Sequence, residues 1–223
     1  MLEKSRPKVP DQPSLEKWQQ RFNDLGAEWE YRGGDVCALY TLSGKVSDYY
    51  FNSEVISRNP EVLGALCREI YLPEIQRRKL SVDLVASYPP YGVAFTKALA
   101  QELGVESCLL HSLSSPTLER DVKRGTNVLV VADDIFSGSS VVKTIHAAKA
   151  KECVVAPVVF AFGNFSGNNA IEGLDIFSVI NRAVQLLDKS ESPLVARGIR
   201  PVNAREHWEE FFVPNKVPGS QIR

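Results

Sequence analysis

Apolar positions change their rhythm near residue 80. Upstream of it, Leu15, Trp18, Phe22 and Leu25 recur at helical spacing, with Ser14 in an N-cap position and Gly26 stopping the run. Residues 36–41 read as a strand, followed by a Ser43-Gly44 turn. Asn59-Pro60 opens a second helix with Val62, Leu63, Leu66 and Ile70 on one face, which Pro73 is expected to kink or end.

Downstream, short apolar runs alternate with helical patterns. Residues 82–86 read as a buried strand, 92–103 as a helix closed by Gly104, and 105–110 as a second strand. The polar stretch 111–126 reads as an exposed loop, and 127–132 as a third buried strand. A helix follows over 139–151 with Val142, Ile145 and Ala148 inward. A fourth strand spans 154–162, where Pro157 weakens it or places it near an edge, and a fifth spans 176–180. Strands without polar alternation, separated by helices, predict an α/β fold whose parallel sheet is covered on both faces. In such sheets the ligand lies beyond the carboxyl ends of the strands, which singles out the loops after Ala86, Leu110 and Ala132. Residues 164–169 form a polar turn beside that end. In the tail, 200–212 reads as a helix capped by Asn203, with Trp208 and Phe212 inward and His207 at the surface. Residues 1–13 read as a loose arm.

Composition narrows the class. A chain of 223 residues with 44% apolar and 24% charged residues suits one globular domain with a small cap. The formal charge is −1, from 26 basic and 27 acidic residues, which excludes a strongly basic nucleic-acid binder and a polybasic membrane-surface protein. No apolar run reaches the ~18 residues a bilayer-spanning helix needs, and the N-terminal stretch has no apolar signal region, so a cytoplasmic location is expected. Cys37, Cys67, Cys108 and Cys153 stand apart in apolar stretches and read as buried thiols rather than a zinc site.

The most informative segment joins the third strand to the following helix. Five apolar residues, 128–132, end in Asp133 and Asp134, and Ser137, Gly138, Ser139 and Ser140 then lead into the helix. A Ser/Gly turn at a helix N-terminus presents backbone N–H groups and hydroxyls to phosphate. Two carboxylates would repel that phosphate, but they suit ribose hydroxyls or a hydrated Mg²⁺ that neutralises a pyrophosphate. Together they point to a sugar phosphate with a second charged group.

This segment resembles the signature of the type I phosphoribosyltransferases, whose acidic pair and Thr/Ser-Gly loop hold phosphoribosyl pyrophosphate (PRPP). Gly138 lies five residues after Asp133 and four after Asp134. The family's acidic pair therefore maps either onto Ala132-Asp133, with Phe136 in place of the usual threonine, or onto Asp133-Asp134 with a shorter loop. The resemblance spans about residues 35–182 and is strongest to orotate phosphoribosyltransferases. Residues 42–53 are similar to that family's N-terminal segment, with Ser43-Gly44-Lys45 followed by Tyr50 and Phe51, which imply a ring-lined base site. Leu42 stands where the family has an orotate-contacting lysine. Residues 86–93 take the place of the pyrophosphate loop, which implies Ser87, Tyr91 and Gly92 as PRPP contacts, although Tyr91 replaces a lysine. Residues 111–126 match the mobile catalytic loop in place, with Arg120, Lys123 and Arg124 as the cations that would neutralise departing pyrophosphate.

The resemblance implies a type I phosphoribosyltransferase-like parallel sheet flanked by helices, with a hood from the N-terminal and C-terminal segments. The domain would span 14–182 with its core at about 80–182, and 183–223 would be a partly helical extension. It further implies transfer of 5-phosphoribosyl from Mg·PRPP to a nucleobase of the orotate type, in a homodimer, with Asp133 and Asp134 holding Mg²⁺ through water. Two alternatives stand beside it: a non-catalytic sensor of PRPP or a nucleotide, and a related transferase with a non-orotate acceptor.

Overall fold

The computed structural model describes residues 12–40, 43–90, 92–111 and 116–213. Its N-terminal part runs α1 (Gln12–Asp24), β1 (Glu28–Glu30), β2 (Val36–Tyr40), β3 (Lys45–Ser47), β4 (Tyr49–Phe51), α2 (Ser53–Ser57), α3 (Pro60–Leu66) and α4 (Leu72–Arg78). The core follows as β5 (Leu84–Ser87), α5 (Val93–Leu103), β6 (Glu106–Leu109), β7 (Asn127–Ile135), α6 (Ser139–Ala150), β8 (Val154–Asn164), β9 (Ala170–Ile171) and β10 (Leu174–Asn181). The chain ends in α7 (Pro193–Ala196) and β11 (Arg200–Asn203).

The core is a six-stranded sheet in the order β6-β5-β7-β8-β10-β9, parallel except for the short β9 edge. β7 shows why polar alternation is missing. Leu129 and Val131 face a cluster with Phe22, Tyr71, Phe95 and Phe162, while Val128 and Val130 face a second cluster with Ile145 and Ala148 of α6. Successive residues point to opposite sides, and both sides are covered, so every position must be apolar. Strands β11-β2-β3 and the β1-β4 pair form the hood over the carboxyl end. This is the predicted α/β architecture.

Several local expectations are corrected. α1 begins at Gln12, so Ser14 lies inside its first turn instead of capping it. Pro73 does not stop its helix: a π-turn at Cys67–Tyr71 widens the path between α3 and α4, and the proline enters at the start of α4, where its missing N–H is tolerated. That turn also seats Tyr71 in the core, where its hydroxyl donates to the Ala161 carbonyl at 2.7 Å. On α6, Val141 takes the buried position and Val142 is half-buried. β8 is an interior strand, not an edge. Pro157 falls where the register with β7 breaks, between the pairs Val128–Val155 and Val130–Val159, so no ladder bond needs its N–H.

The tail departs most. Residues 200–203 form β11, parallel to β2, and only a π-turn at Trp208–Phe212 is helical. Pairing with the open edge of β2 overrides the local helical pattern. Trp208 and Phe212 are buried as expected, and the Asn203 side chain accepts from the backbone N–H of Arg205 and Glu206. The extension is thus part of the hood. Among the described residues, no helix is long and apolar enough to cross a membrane.

Candidate active site

β7 continues past its apolar run, so Asp133 and Asp134 are strand residues at its carboxyl end. The pleat sends them to opposite sides. Asp133 is buried and accepts a 2.8 Å hydrogen bond from the hydroxyl of Ser53, the first residue of α2. The Asn52 side chain caps that helix by accepting from the Glu54 N–H at 3.2 Å. Glu54 in turn pairs with Arg205, which follows β11. Burial raises the pKa of Asp133, while the Ser53 hydrogen bond and the Arg205 charge oppose the rise. Asp134 is raised as well, first by burial and then by the Asp133 charge, with Arg205 again opposing. The same burial, with Asp134 nearby, keeps Tyr40 a neutral phenol, and its hydroxyl donates to the Tyr49 carbonyl at 2.9 Å.

The turn after β7 has the geometry of an anion cradle. Gly138 sits at φ +72°, in the left-handed region, and α6 starts at the next residue. The hydroxyls of Ser137 and Ser139 lie 3.2 Å apart, and the first-turn N–H groups of α6 have no intrahelical partners by construction. Carboxylates and cradle open into one cleft of about 1070 Å³. Its far wall is aromatic. Tyr40 lies 4.9 Å from Tyr50 and 5.0 Å from Phe136, ring centre to ring centre, and Phe136 stacks on Phe165 at 4.9 Å.

The structure brings Asp133, Asp134, Ser137, Gly138, Ser139, Ser140 and Tyr50 together in this cleft. Phe51 reaches its floor, but its ring is buried against Phe22 and Phe165 at 5.9 and 5.4 Å and acts mainly as core. Ser87 and Gly92 do not line the cleft. Ser87 is fully buried with its oxygen 2.6 Å from Thr96 Oγ1, and a side chain at Gly92 would come within 3.0 Å of Ser87 Cβ. They hold the turn closed, and Tyr88, Pro89 and Pro90 form the wall instead. Tyr91 and Leu42 lie outside the described residues.

Arg120, Lys123 and Arg124 are not at the cleft. After His111 the described part of the loop doubles back along β6, with a bridge between Leu110 and Leu118 and a bond from the Glu119 N–H to the Leu109 carbonyl. This carries the basic residues to the amino ends of the strands. Arg120 pairs there with Glu106 at 3.1 Å, Arg124 pairs with Glu152 at 3.2 Å, and Lys123 lies just before β7.

Sequence reasoning missed Ser53, Lys143 and Arg205, which all line the cleft, and gave Lys45 no role. Ser53 closes the segment already singled out by its aromatics. Lys143 could have been found from α6, since it shares a helix face with Ser139 and Ser140. Nothing local marks Arg205. The described residues contain no cluster of three or more metal-ligating side chains.

No protein-family model matches the chain. Its fold is that of the type I phosphoribosyltransferases. It superimposes on Leishmania donovani UMP synthase with a TM-score of 0.59 at 20% identity, covering 75% of this chain and 36% of that one. It superimposes on adenine phosphoribosyltransferase from Saccharomyces cerevisiae with a TM-score of 0.58 at 14% identity, covering 74% and 99%. In sequence it is similar to the orotate phosphoribosyltransferase of Chlorobaculum parvum, 27% identical over 165 residues that cover 73% of this chain and 83% of the relative.

Proposed function

We propose that the protein transfers a 5-phosphoribosyl group from PRPP to a ring nitrogen of a nucleobase of the orotate type, with release of pyrophosphate. One observation carries the reading: the acidic pair at the end of β7, of which Asp133 is buried, and the Ser137–Ser140 cradle at the start of α6 share one cleft. The cradle would hold the 5-phosphate, and Asp133 and Asp134 would hold the ribose hydroxyls. The aromatic wall at Tyr40, Tyr50 and Phe136 would pack against the flat acceptor. The bond from C1 of the ribose to pyrophosphate breaks as the bond to the acceptor nitrogen forms on the opposite face. The chain supplies positioning and charge, and no covalent step.

The acidic pair fits Mg²⁺. The ion commonly takes one or two carboxylates and completes its shell with water and substrate phosphate oxygens, so a larger protein cluster is not needed. Burial and mutual repulsion already penalise the two negative charges, and a bound cation would relieve that. When bound, Mg²⁺ would neutralise the charge that builds on departing pyrophosphate. A cytoplasmic homodimer belongs to the same reading.

A second reading, binding of PRPP or a nucleotide without turnover, is favoured by the position of Arg120, Lys123 and Arg124 at the far end of the sheet. A third, a different acceptor base, is favoured by Leu42 in place of a lysine. Pyrophosphate release from Mg·PRPP, assayed with orotate and then with other bases, separates the three. Release with orotate supports the first, and release with another base alone supports the third. Silence across the panel with PRPP still bound supports the second. Loss of PRPP binding in Asp133→Asn/Asp134→Asn, with the fold intact, is expected on all three. Unchanged affinity would remove the acidic pair from the site.

A further inference from the structure

The wall of the cleft at Tyr88, Pro89 and Pro90 poses a problem for any substrate with two anionic ends. It sits at the carboxyl end of β5, beside β7 in the sheet, and so next to the phosphate cradle. Two of its residues are prolines and offer no backbone donor. Ser87 and Gly92 are engaged inside the turn. Arg120, Lys123 and Arg124 of the loop after β6 lie at the other end of the sheet, and His111 at the start of that loop lines the cleft. A lysine or arginine contact to an anion at this wall therefore has to come from another element.

Lys143 is placed to supply it. It lies one turn into α6 on the face that carries Ser139 and Ser140, is half-buried, and lines the cleft. Its Nζ does not turn back to the cradle. It reaches toward β5 and stands 5.5 Å from the centre of the Tyr88 ring. The ring holds the ammonium by its face, which leaves N–H donors free to turn into the cleft. A cation so held lies between the two loops, beside the space that the cradle does not serve.

We propose that Lys143 binds the second anionic group of the substrate, the pyrophosphate of PRPP, at the Tyr88–Pro90 wall. The inference rests on the phosphoribosyl-transfer reading of the same cleft. α6 then carries both anion contacts, backbone N–H groups for one phosphate and a side-chain ammonium for the other. The chemical logic is charge: departing pyrophosphate gains negative charge as its bond to C1 breaks, and a held ammonium offsets that charge with no reorganisation.

The test compares two probes, Mg·PRPP and ribose 5-phosphate, by calorimetric titration of wild type, Lys143→Met and Lys143→Arg. Methionine keeps an unbranched side chain on the helix and removes the charge. The expected result is a loss of PRPP affinity of about tenfold or more in Lys143→Met, the scale of one charge-assisted contact, with ribose 5-phosphate binding unchanged. Lys143→Arg should recover most of the PRPP affinity. Equal weakening of both probes would show that the ammonium acts on the cradle as a whole and would overturn the proposal. Unchanged PRPP affinity would overturn it too. Wild type that binds ribose 5-phosphate but gains nothing from the pyrophosphate group would overturn it along with the phosphoribosyl-transfer reading. Failure of the proposal alone shows only as a methionine variant that still prefers PRPP as wild type does. Thermal unfolding of each variant checks that the fold is kept.

Discussion

Replacing Gly138 with alanine tests the geometry of the cradle. Gly138 holds φ +72° at the start of α6, and a β-carbon there would overlap Cδ1 of Ile171 on the short edge strand β9. The left-handed conformation costs an alanine roughly 1–2 kcal/mol, and the smaller entropy of its unfolded chain returns about 0.5 kcal/mol. The overlap adds less than it first suggests. Ile171 is only half-buried, so its terminal methyl can rotate away for about 1 kcal/mol. The sum is a loss of about 1.5–2.5 kcal/mol, or a fall in Tm of about 3–10 °C for a chain of this size. Ile171→Val removes the overlapping atom, so Gly138→Ala/Ile171→Val should lose less than the two single changes added together. The assay is thermal unfolding of the four proteins, with ribose 5-phosphate titration beside it. Affinity should fall in both alanine-containing variants, because the strained turn re-aims the N–H groups of α6. A Gly138→Ala protein with unchanged Tm and affinity would refute the assigned backbone conformation. Strict additivity in the double variant would refute the Ile171 contact.

Three further outcomes are expected. Arg120→Ala/Lys123→Ala/Arg124→Ala should leave PRPP affinity and any turnover unchanged and cost about 1 kcal/mol or less in stability, since the ion pairs of Arg120 and Arg124 are exposed and distant from the cleft; a loss of turnover would return the loop to the site. Ser53→Ala should weaken both Mg·PRPP and ribose 5-phosphate, because it strips the buried Asp133 carboxylate, assigned to the ribose hydroxyls, of its 2.8 Å donor; unchanged affinity for both ligands would argue against this. Burial would raise the pKa of Glu74, but hydrogen bonds from Arg77 and Arg78 outweigh it and hold the carboxyl below 4.5. A depressed folded-state pKa stabilises above the unfolded value and is lost as pH falls through the folded one. Glu74→Gln should therefore lower Tm near neutral pH, by the equivalent of about 1–2 kcal/mol, with the gap closing below pH 4.5; a pH-independent gap would refute the assignment.

The chain by itself determined the layers and which residue types gather at one strand end. Both signals are local. A strand packed on two faces must be apolar at every step, as residues 128–132 are, and a turn shaped for phosphate carries small residues where a helix begins, as the proposed cradle at Ser137–Ser140 does. Element ends and special turns were less legible. The π-turn before Pro73, the register break at Pro157 and the strand at Arg200–Asn203 depend on partners far along the chain. The rest of the site was decided by tertiary structure alone. Ser53 reaches Asp133 across 80 positions, and Glu54 meets Arg205 across 151. Periodicity carries no trace of such pairs, because it records which face a residue shows and not what stands opposite. The same limit misplaced Arg120, Lys123 and Arg124. Their charge was plain in the sequence, but the fold of the loop along β6 decided which end of the sheet they occupy.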